Sequence, residues 1–261
     1  MNMIKNRVRF LRIRGIVAGM AGAVAVAWMA AVASAAPLTV PFTETFSVDA
    51  ANWTISTSGT LASWNSNGGP SGGTSISRIG SGADINFGSG TSGPILFRGQ
   101  DNFDSSDDRF VGDWLAGGVG TFSVDVFHTH SSALLFQVRL ASPFNSPGAS
   151  SVNVSIDPNV WTTLTVPIID SAESFQTYGA LGSPPNATAF NEIFSDIGNI
   201  QIGLAPGQVG TGGSLTSTAT FGLANPSITA VPEPGTLAAL GAAAIVVGAV
   251  RLRRVRGPYA S

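Results

Sequence analysis

The protein has 261 residues, among them 32 glycines, 15 prolines and no cysteine. This composition excludes a disulfide framework, a thiolate metal site and a cysteine nucleophile, and it argues against long helices in the interior. The net charge of −2 combines three zones: residues 1–14 carry +5, residues 15–230 carry −10 with four arginines and no lysine, and residues 231–261 carry +3. An acidic middle without lysine argues against a nucleic-acid partner, because such a partner requires cations that replace condensed counterions.

The first predicted element is a secretory signal peptide over residues 1–35. Its basic start is followed by the uncharged apolar run 15–32 and then by Ala33-Ser34-Ala35. Signal peptidase recognises small residues at the positions of Ala33 and Ala35, so we expect cleavage after Ala35. An uncleaved signal anchor is the alternative, because the apolar run is long enough to span a bilayer.

The middle of the chain, residues 36–230, is predicted to be one extracytoplasmic all-β domain, a single β-sandwich. Its length suits one such domain, and several segments are rich in β-branched and aromatic residues between turn residues. The predicted strands are 120–127, 133–140, 151–156, 161–166, 200–204 and 219–223.

Alternation within these segments indicates antiparallel sheets with one wet side. Phe122, Val124 and Val126 fall on one face of their strand, and Ser123 and Asp125 fall on the other. The turn residues 157–159, Asp-Pro-Asn, predict a hairpin between two of the strands. Only residues 187–194 favour a helix.

A resemblance to laminin IV type (laminin B) modules extends over part of this domain. The segments that carry it are Trp64, the Gly-rich run 68–73, residues 109–113 (Arg-Phe-Val-Gly-Asp) and residues 117–126. The resemblance implies a jelly-roll, galactose-binding-like architecture. The chain departs from the pattern in the last strand, where Ala224 stands before Asn225 in place of an aspartate. No ligand or calcium role is therefore carried over to that position.

Four carboxylates lie within eight residues, at Asp101, Asp104, Asp107 and Asp108. Calcium prefers oxygen-rich loops of this kind, so one interpretation is a structural calcium site. The loop does not follow the EF-hand pattern, because its sixth position is Ser106. A solvated acidic turn is the other interpretation.

Four tryptophans, Trp53, Trp64, Trp114 and Trp161, offer rings that could stack on a sugar or pack in the core. Of these, Trp64 and Trp114 are the predicted carbohydrate contacts, because both lie beside Gly-rich loops.

Catalytic patterns are weak in this sequence. Gly69, Ser71 and Gly73 match G-x-S-x-G, but no helix pattern follows, as a nucleophile elbow requires. His128 and His130 have the spacing of two metal ligands on one strand, with structural histidines as the alternative. The domain's three glutamates offer no evident acid pair for a glycosidase. We therefore expect no enzyme and no cofactor beyond the calcium considered above; a secreted carbohydrate-active hydrolase is the alternative.

The C-terminal region 231–256 combines three features in a fixed order. Pro232-Glu233-Pro234 precedes an apolar segment, 235–252, and the cluster Arg251, Arg253, Arg254 and Arg256 follows. The prolines prevent the helix from extending backwards, and its eighteen residues suit a thin bilayer core. The arginines predict a cytoplasmic end.

This tail resembles the sorting signal of the PEP-CTERM family. The resemblance implies export, transient anchoring in the inner membrane and processing near Pro-Glu-Pro by an exosortase. It also implies a role at the cell surface or in the extracellular matrix, in association with exopolysaccharide or biofilm. Signal peptidase, exosortase, the inner membrane and exopolysaccharide are the expected partners.

Overall fold

The computed structural model describes residues 38–55, 58–80, 94–178, 184, 186–206 and 217–231. The chain divides into two compact units, Met1–Ser34 and Ala35–Ser261, and every described residue belongs to the second. The predicted signal peptide and residues 232–256 of the predicted sorting tail therefore lie outside the described residues. Among the residues that are described, no helix has the length and hydropathy to cross a bilayer.

The described elements are mostly strands, which we number in chain order. They are β1 (Phe42–Thr43), β2 (Ser63–Asn65), β3 (Ser75–Gly80), β4 (Ile95–Gln100), β5 (Val119–His128), β6 (Leu134–Ala141), β7 (Gly148–Ser151), β8 (Val154–Ile156), β9 (Thr162–Pro167), β10 (Phe175–Tyr178), α1 (Ala187–Phe194), β11 (Asn199–Leu204) and β12 (Ala219–Ala230).

The strands form two six-stranded antiparallel sheets. The first sheet has the order β2-β3-β12-β5-β9, and β1 also pairs with β12. The second sheet has the order β10-β7-β6-β11-β4, and β8 also pairs with β6. The predicted all-β sandwich is thereby confirmed, while its assignment as a jelly roll stays a prediction.

One hydrophobic core lies between the sheets. Buried side chains from both sheets contribute to it, such as Val124 of β5 and Val138 of β6. In β5 the buried and half-buried positions alternate, as predicted, with Phe122, Val124 and Val126 inward. This alternation places Ser123 and Asp125 on the outer face of the first sheet.

The predicted helix is confirmed at residues 187–194. It begins after Asn186, whose side-chain oxygen accepts a hydrogen bond from the Ala189 amide at 2.9 Å, as an N-cap residue does. Phe190, Ile193 and Phe194 are buried, so one face of the helix packs against the core.

Two details of the strand prediction are wrong. The turn at 157–159 does not close a hairpin, because β8 pairs with β6 in the second sheet and β9 pairs with β5 in the first. The Asn159 amide donates to the His128 carbonyl at 2.7 Å, which ties the turn to the end of β5. The predicted strand 151–156 is divided into β7 and β8, since the Val152 amide bonds to Ser174 outside the ladder.

The last strand is longer than its apolar pattern indicates. It continues from Ala219 to Ala230 through a register shift between Ala224 and Ser227. Asn225 has a left-handed backbone (φ 49°) at this irregularity, and its side chain donates to Asp125 at 2.8 Å. Asparagine tolerates this conformation better than most residues, so the strand bulges here without ending.

Candidate functional site

A row of polar side chains crosses the outer face of the second sheet. The strand register aligns Arg98 of β4 with Gln201 of β11, Gln201 with Arg139 of β6, and Arg139 with Ser150 of β7. Residues paired across neighbouring strands share a face, and the interleaved positions such as Ile202 and Val138 are buried in the core. We call the outer surface formed by Arg98, Gln100, Gln137, Arg139, Asn199 and Gln201 the polar face.

Side-chain hydrogen bonds organise the polar face beyond this row. Gln100 Nε2 donates to Asn199 Oδ1 at 2.8 Å, and Gln176 Nε2 donates to Gln137 Oε1 at 3.2 Å. Asn199, Gln201 and Gln137 have at most 5% of their surface exposed. Buried amides with fixed partners cannot rotate freely, so they hold the half-buried side chains beside them in a set arrangement.

The loop between β6 and β7 folds over one end of this surface. Arg139 donates to the Asn145 side-chain and backbone oxygens, each at 2.6 Å, and Gln201 Nε2 also donates to Asn145 Oδ1. Asn199 Nδ2 holds the start of the loop through the Ser142 and Pro143 carbonyls at 2.6 and 2.9 Å. Phe144 lies in the same loop with 93% of its surface exposed.

The electrostatics of the polar face depend on its two arginines. Burial lowers the pKa of Arg98, and burial together with the neighbouring charge of Arg98 lowers the pKa of Arg139. Both groups nevertheless stay charged at neutral pH, because a guanidinium loses its proton only in strong base. The six strands of this sheet contain no aspartate or glutamate.

The predicted acidic loop forms two short 3-10 turns, Asp101–Phe103 and Ser105–Asp108. Four of its residues have left-handed backbones: Asp104, Ser106, Asp107 and Asp108, with φ between 50° and 56°. Aspartate is among the residues that best tolerate this region, which gives the carboxylate-rich composition a conformational reason. Nowhere among the described residues do three His, Cys, Asp or Glu side chains gather as metal ligands would.

Two serines anchor the acidic loop to the core. Trp53 Nε1 donates to Ser106 Oγ at 2.9 Å, and Ser105 Oγ donates to the Asn52 carbonyl at 2.9 Å. The pKa of Asp108 is raised by burial and by the charges of Asp101, Asp104 and Asp107. The loop therefore holds its carboxylates at an electrostatic cost that the surrounding contacts offset.

The structure separates the four tryptophans into two groups. Trp53 and Trp114 are fully buried, and the Trp114 indole donates to the Phe110 carbonyl at 2.8 Å. The prediction of Trp114 as a sugar contact is corrected: its ring faces Phe122 and Phe194 in the core. The Trp114 ring, although it lies beside a Gly-rich loop, is used for packing.

Trp64 and Trp161 retain exposed surface. Trp64 lies on the edge strand β2 with 40% exposed, and its indole donates to the Phe46 carbonyl at 2.6 Å. Trp161 is half-buried on the outer face of the first sheet, 5.4 Å from the Phe127 ring centroid. Its ring also covers Gly222, where an added Cβ would approach it to 2.8 Å.

The other catalytic patterns have structural roles. Ser71 lies in a 3-10 turn between two strands, so Gly69–Gly73 is no strand-to-helix elbow. His128 is fully buried, stacks on Phe136 and bonds to the Ile156 carbonyl at 3.0 Å, and burial is the main cause that lowers its pKa. The ring of His130 turns to Ser132 at 3.1–3.2 Å.

No model of a protein family matches this sequence, and no curated protein does. Several solved structures are similar in fold, among them the CBM22-1–GH10 modules of the Clostridium thermocellum endo-1,4-β-D-xylanase 10B, at 15% identity and a TM-score of 0.43. That match covers 73% of this chain and 28% of the xylanase chain, so the protein spans less than a third of that structure.

Two single domains are also similar. The C-terminal family 22 carbohydrate-binding module of the same xylanase has 12% identity and a TM-score of 0.39, over 73% of this chain and 94% of the module. The L4b domain of human laminin α-2 has 12% identity and a TM-score of 0.34, over 65% and 98%. At these values, function must be argued from the residues of this chain.

The sequence does contain a pattern that corresponds to the polar face, although the alternation used to predict strands does not distinguish it from other strands. Three of its strands each carry two long polar side chains separated by one residue: Arg98 and Gln100, Gln137 and Arg139, Asn199 and Gln201. Their arrangement on one surface depends on the order β6-β11-β4, which joins strands far apart in the chain.

Proposed function

We propose that this protein is an exported, non-enzymatic module that binds polysaccharide on the polar face. The observation that carries the proposal is the row Arg98, Gln201 and Arg139, which the register aligns on one sheet surface. Arg98 and Arg139 are half-buried, so their guanidinium groups can donate hydrogen bonds to sugar oxygens, while the buried Gln201 between them bonds to Arg139.

Preorganisation of this surface supports binding. The amides of Asn199 and Gln201 are already buried and hydrogen-bonded within the protein. These buried amides hold Arg139 and the loop of Asn145 in place beneath the surface. A ligand that contacts the surface therefore orders few protein side chains, which reduces the entropic cost of association. The backbone of Arg98 bonds to Thr54, but its guanidinium has no hydrogen-bond acceptor among the described residues and keeps its donors available.

Phe144 supplies an apolar partner beside the polar row. Its loop is fixed by Asn145, which accepts hydrogen bonds from Arg139 and Gln201. An almost fully exposed phenyl ring at the border of a polar surface is suited to stacking on the apolar face of a sugar. Trp64, on the edge of the other sheet, stays a candidate for a separate contact.

We also propose that the two ends of the chain direct its export. The signal peptide 1–35 would be removed by signal peptidase, and the helix 235–252 would hold the domain outside the inner membrane until an exosortase cleaves near Pro232-Glu233-Pro234. The charge-flanked apolar runs of the sequence support this topology. The mature domain would then act at the cell surface, in contact with exopolysaccharide.

Native gel electrophoresis of the full chain in detergent, in gels that contain single polysaccharides, tests the binding function. We expect at least one polysaccharide to slow the protein and to be recovered without cleavage products. Gln201→Ala should weaken this retardation, whereas Thr165→Ala, on the outer face of the first sheet, should not. Equal retardation of the two variants would contradict the polar face as the binding surface.

Mass spectrometry of the exported protein tests the sorting proposal. In cells that contain an exosortase, the new C-terminus should lie near Pro234, and the N-terminus should begin after Ala35. A reporter that is active only in the cytoplasm, fused after residue 230, should stay silent. Recovery of the full-length chain, Arg256 included, as the sole species would refute processing.

A further inference from the structure

The arginines of the domain are few, and their placement is therefore informative. Residues 15–230 contain four arginines, no lysine and fourteen acidic residues. Arg78 is buried, and its Nη1 donates to the carbonyls of Ile55, Ile95 and Leu96 at 3.1–3.3 Å. Arg109 lies over the Phe42 ring at 4.6 Å. The remaining two, Arg98 and Arg139, are both on the polar face.

These two charges lie close together, and the described residues provide no counter-ion for them. Arg98 and Arg139 are separated by one strand, which places their backbones about 10 Å apart. In the part of the chain that the structure describes, no carboxylate pairs with either guanidinium. Placing like charges together at a partly desolvated surface is unfavourable, so the charge of Arg98 beside Arg139 lowers the stability of the folded protein.

The two arginines also differ in the hydrogen bonds that their guanidinium groups make within the protein. Arg139 uses Nη1 and Nη2 for the oxygens of Asn145, and Nη1 also approaches Gln201 Oε1 at 3.4 Å. Arg98 has no described acceptor for its guanidinium, which therefore offers two donors side by side for one anionic group. Arg139 is thus held by contacts within the protein and would attract an anion through its charge, and Arg98 is the group that would contact a ligand directly.

We propose that the polysaccharide bound by the polar face is anionic, with its carboxylate or sulfate groups held by Arg98 and attracted by Arg139. This inference rests on the proposed function and specifies its ligand class. An anion at this position would relieve the repulsion between the guanidinium groups and provide the missing acceptor for Arg98. A neutral polysaccharide would neither relieve the repulsion between the guanidinium groups nor place a negative charge beside Arg98.

The test compares polygalacturonate with its methyl ester, which keeps the sugar backbone and removes the charge. Full-length protein in detergent should bind the acid form more tightly, and added sodium chloride should reduce the difference. Arg98→Gln should weaken binding of polygalacturonate by about ten- to a hundredfold, the range expected for a hydrogen bond to a charged group. Arg98→Lys should retain part of the affinity.

Arg109→Gln is the matched control, because it removes the same charge from a site over the Phe42 ring. It should leave binding of polygalacturonate unchanged. Arg98→Gln should melt at or above the wild-type temperature, since the Arg98 side chain makes no hydrogen bond with a described residue and its replacement removes the repulsion with Arg139. A parallel pair, dextran sulfate and dextran, identifies sulfate as the recognised anion if only that charged form binds and Arg98→Gln weakens it.

Four results would decide against the proposal. Equal affinity for the acid and the ester, or wild-type affinity of Arg98→Gln, would refute an anionic ligand and leave polysaccharide binding intact. Loss of binding in Arg109→Gln as well would show a general charge effect. Failure to bind any charged or neutral polysaccharide would refute the proposed function together with the inference.

Discussion

The outer faces of the two sheets differ although both sheets cover the same core. On the first sheet, the outward positions of β9 are Thr163, Thr165 and Pro167, all exposed. On the second sheet, the outward positions include Gln137, Asn199 and Gln201, all buried. The side chains of the first face interact with solvent, as is usual for an exposed sheet surface. The second face buries polar groups, which costs desolvation free energy, and keeps them hydrogen-bonded.

The comparison shows how a binding surface can be distinguished from a wet sheet face. Short hydroxyl side chains on exposed positions are the ordinary solvent side of an antiparallel sheet. Long amide and guanidinium side chains that are buried, bonded to each other and partly unpaired require a further reason. We take ligand recognition as that reason for the polar face.

The largest expected effect comes from two glycine substitutions that disturb one face each. An added Cβ at Gly148 would lie 2.6 Å from Arg139 Nη2, and one at Gly222 would lie 2.8 Å from the Trp161 ring. We expect Gly148→Ala and Gly222→Ala each to lower the free energy of unfolding by about 1–3 kcal/mol, because overpacking displaces the neighbouring side chain. Only Gly148→Ala should also weaken polysaccharide binding, as measured by gel retardation.

Loss of polysaccharide binding in Gly222→Ala would contradict the assignment of binding to the second sheet. It would move the binding surface to Phe127 and Trp161 on the first sheet.

The next effect separates packing from recognition. Trp161→Ala removes a half-buried ring from Phe127 and should cost about 1–2 kcal/mol of unfolding free energy, measured by denaturant titration. Gln201→Ala removes a buried amide, leaves Arg139 and Asn145 with one partner fewer and should cost a similar amount. The two variants should differ in binding: Trp161→Ala keeps it and Gln201→Ala loses it.

A smaller effect on stability, with a clear effect on binding, is expected at Phe144. The side chain is 93% exposed, so Phe144→Ala should change the free energy of unfolding by less than about 0.5 kcal/mol. Binding should weaken if the ring stacks on the sugar. Val160→Ala, another exposed apolar residue, is the control that should leave both quantities unchanged. If Phe144→Ala binds with wild-type affinity, the Phe144 ring is not part of the binding site.

The smallest effect concerns the acidic loop and depends on pH. The folded state raises the pKa of Asp108, so its protonated form is favoured in the folded protein. The contribution of Asp108 to the free energy of unfolding is therefore largest below its unfolded pKa. It decreases as the pH rises from the unfolded pKa through the folded pKa. Asp108→Asn keeps a residue that tolerates φ 56° and should raise the melting temperature at pH 7 but not below the unfolded pKa.

The same loop gives a test for calcium. We expect calcium and sodium chloride at matched ionic strength to raise the melting temperature equally, because screening acts on the clustered charges and no described set of three ligands converges. A calcium-specific rise that Asp104→Asn with Asp107→Asn abolishes would instead establish a site. Asparagine is preferred to alanine in this test because both positions have positive φ.

Sequence patterns could predict the sandwich but not the polar face. Alternation predicted β5, and the composition of residues 187–194 predicted the helix, because these signals are local. The pairing of Arg98 with Gln201 and of Gln201 with Arg139 joins strands that are distant in sequence, so no local pattern contains it. The prediction for Trp114 is wrong for a related reason: a ring beside a Gly-rich loop can face either solvent or core, and here packing against Phe122 decides.

Arginine-specific chemical labelling with and without a bound polysaccharide tests the central claim most directly. Arg98 is half-buried and Arg109 is exposed. Phenylglyoxal should modify both in the free protein, as mass spectrometry of the peptides can measure. We predict that the polysaccharide which slows the protein in gels protects Arg98 and leaves Arg109 reactive. Equal labelling of Arg98 in the free and bound protein would contradict the polar face as the binding site.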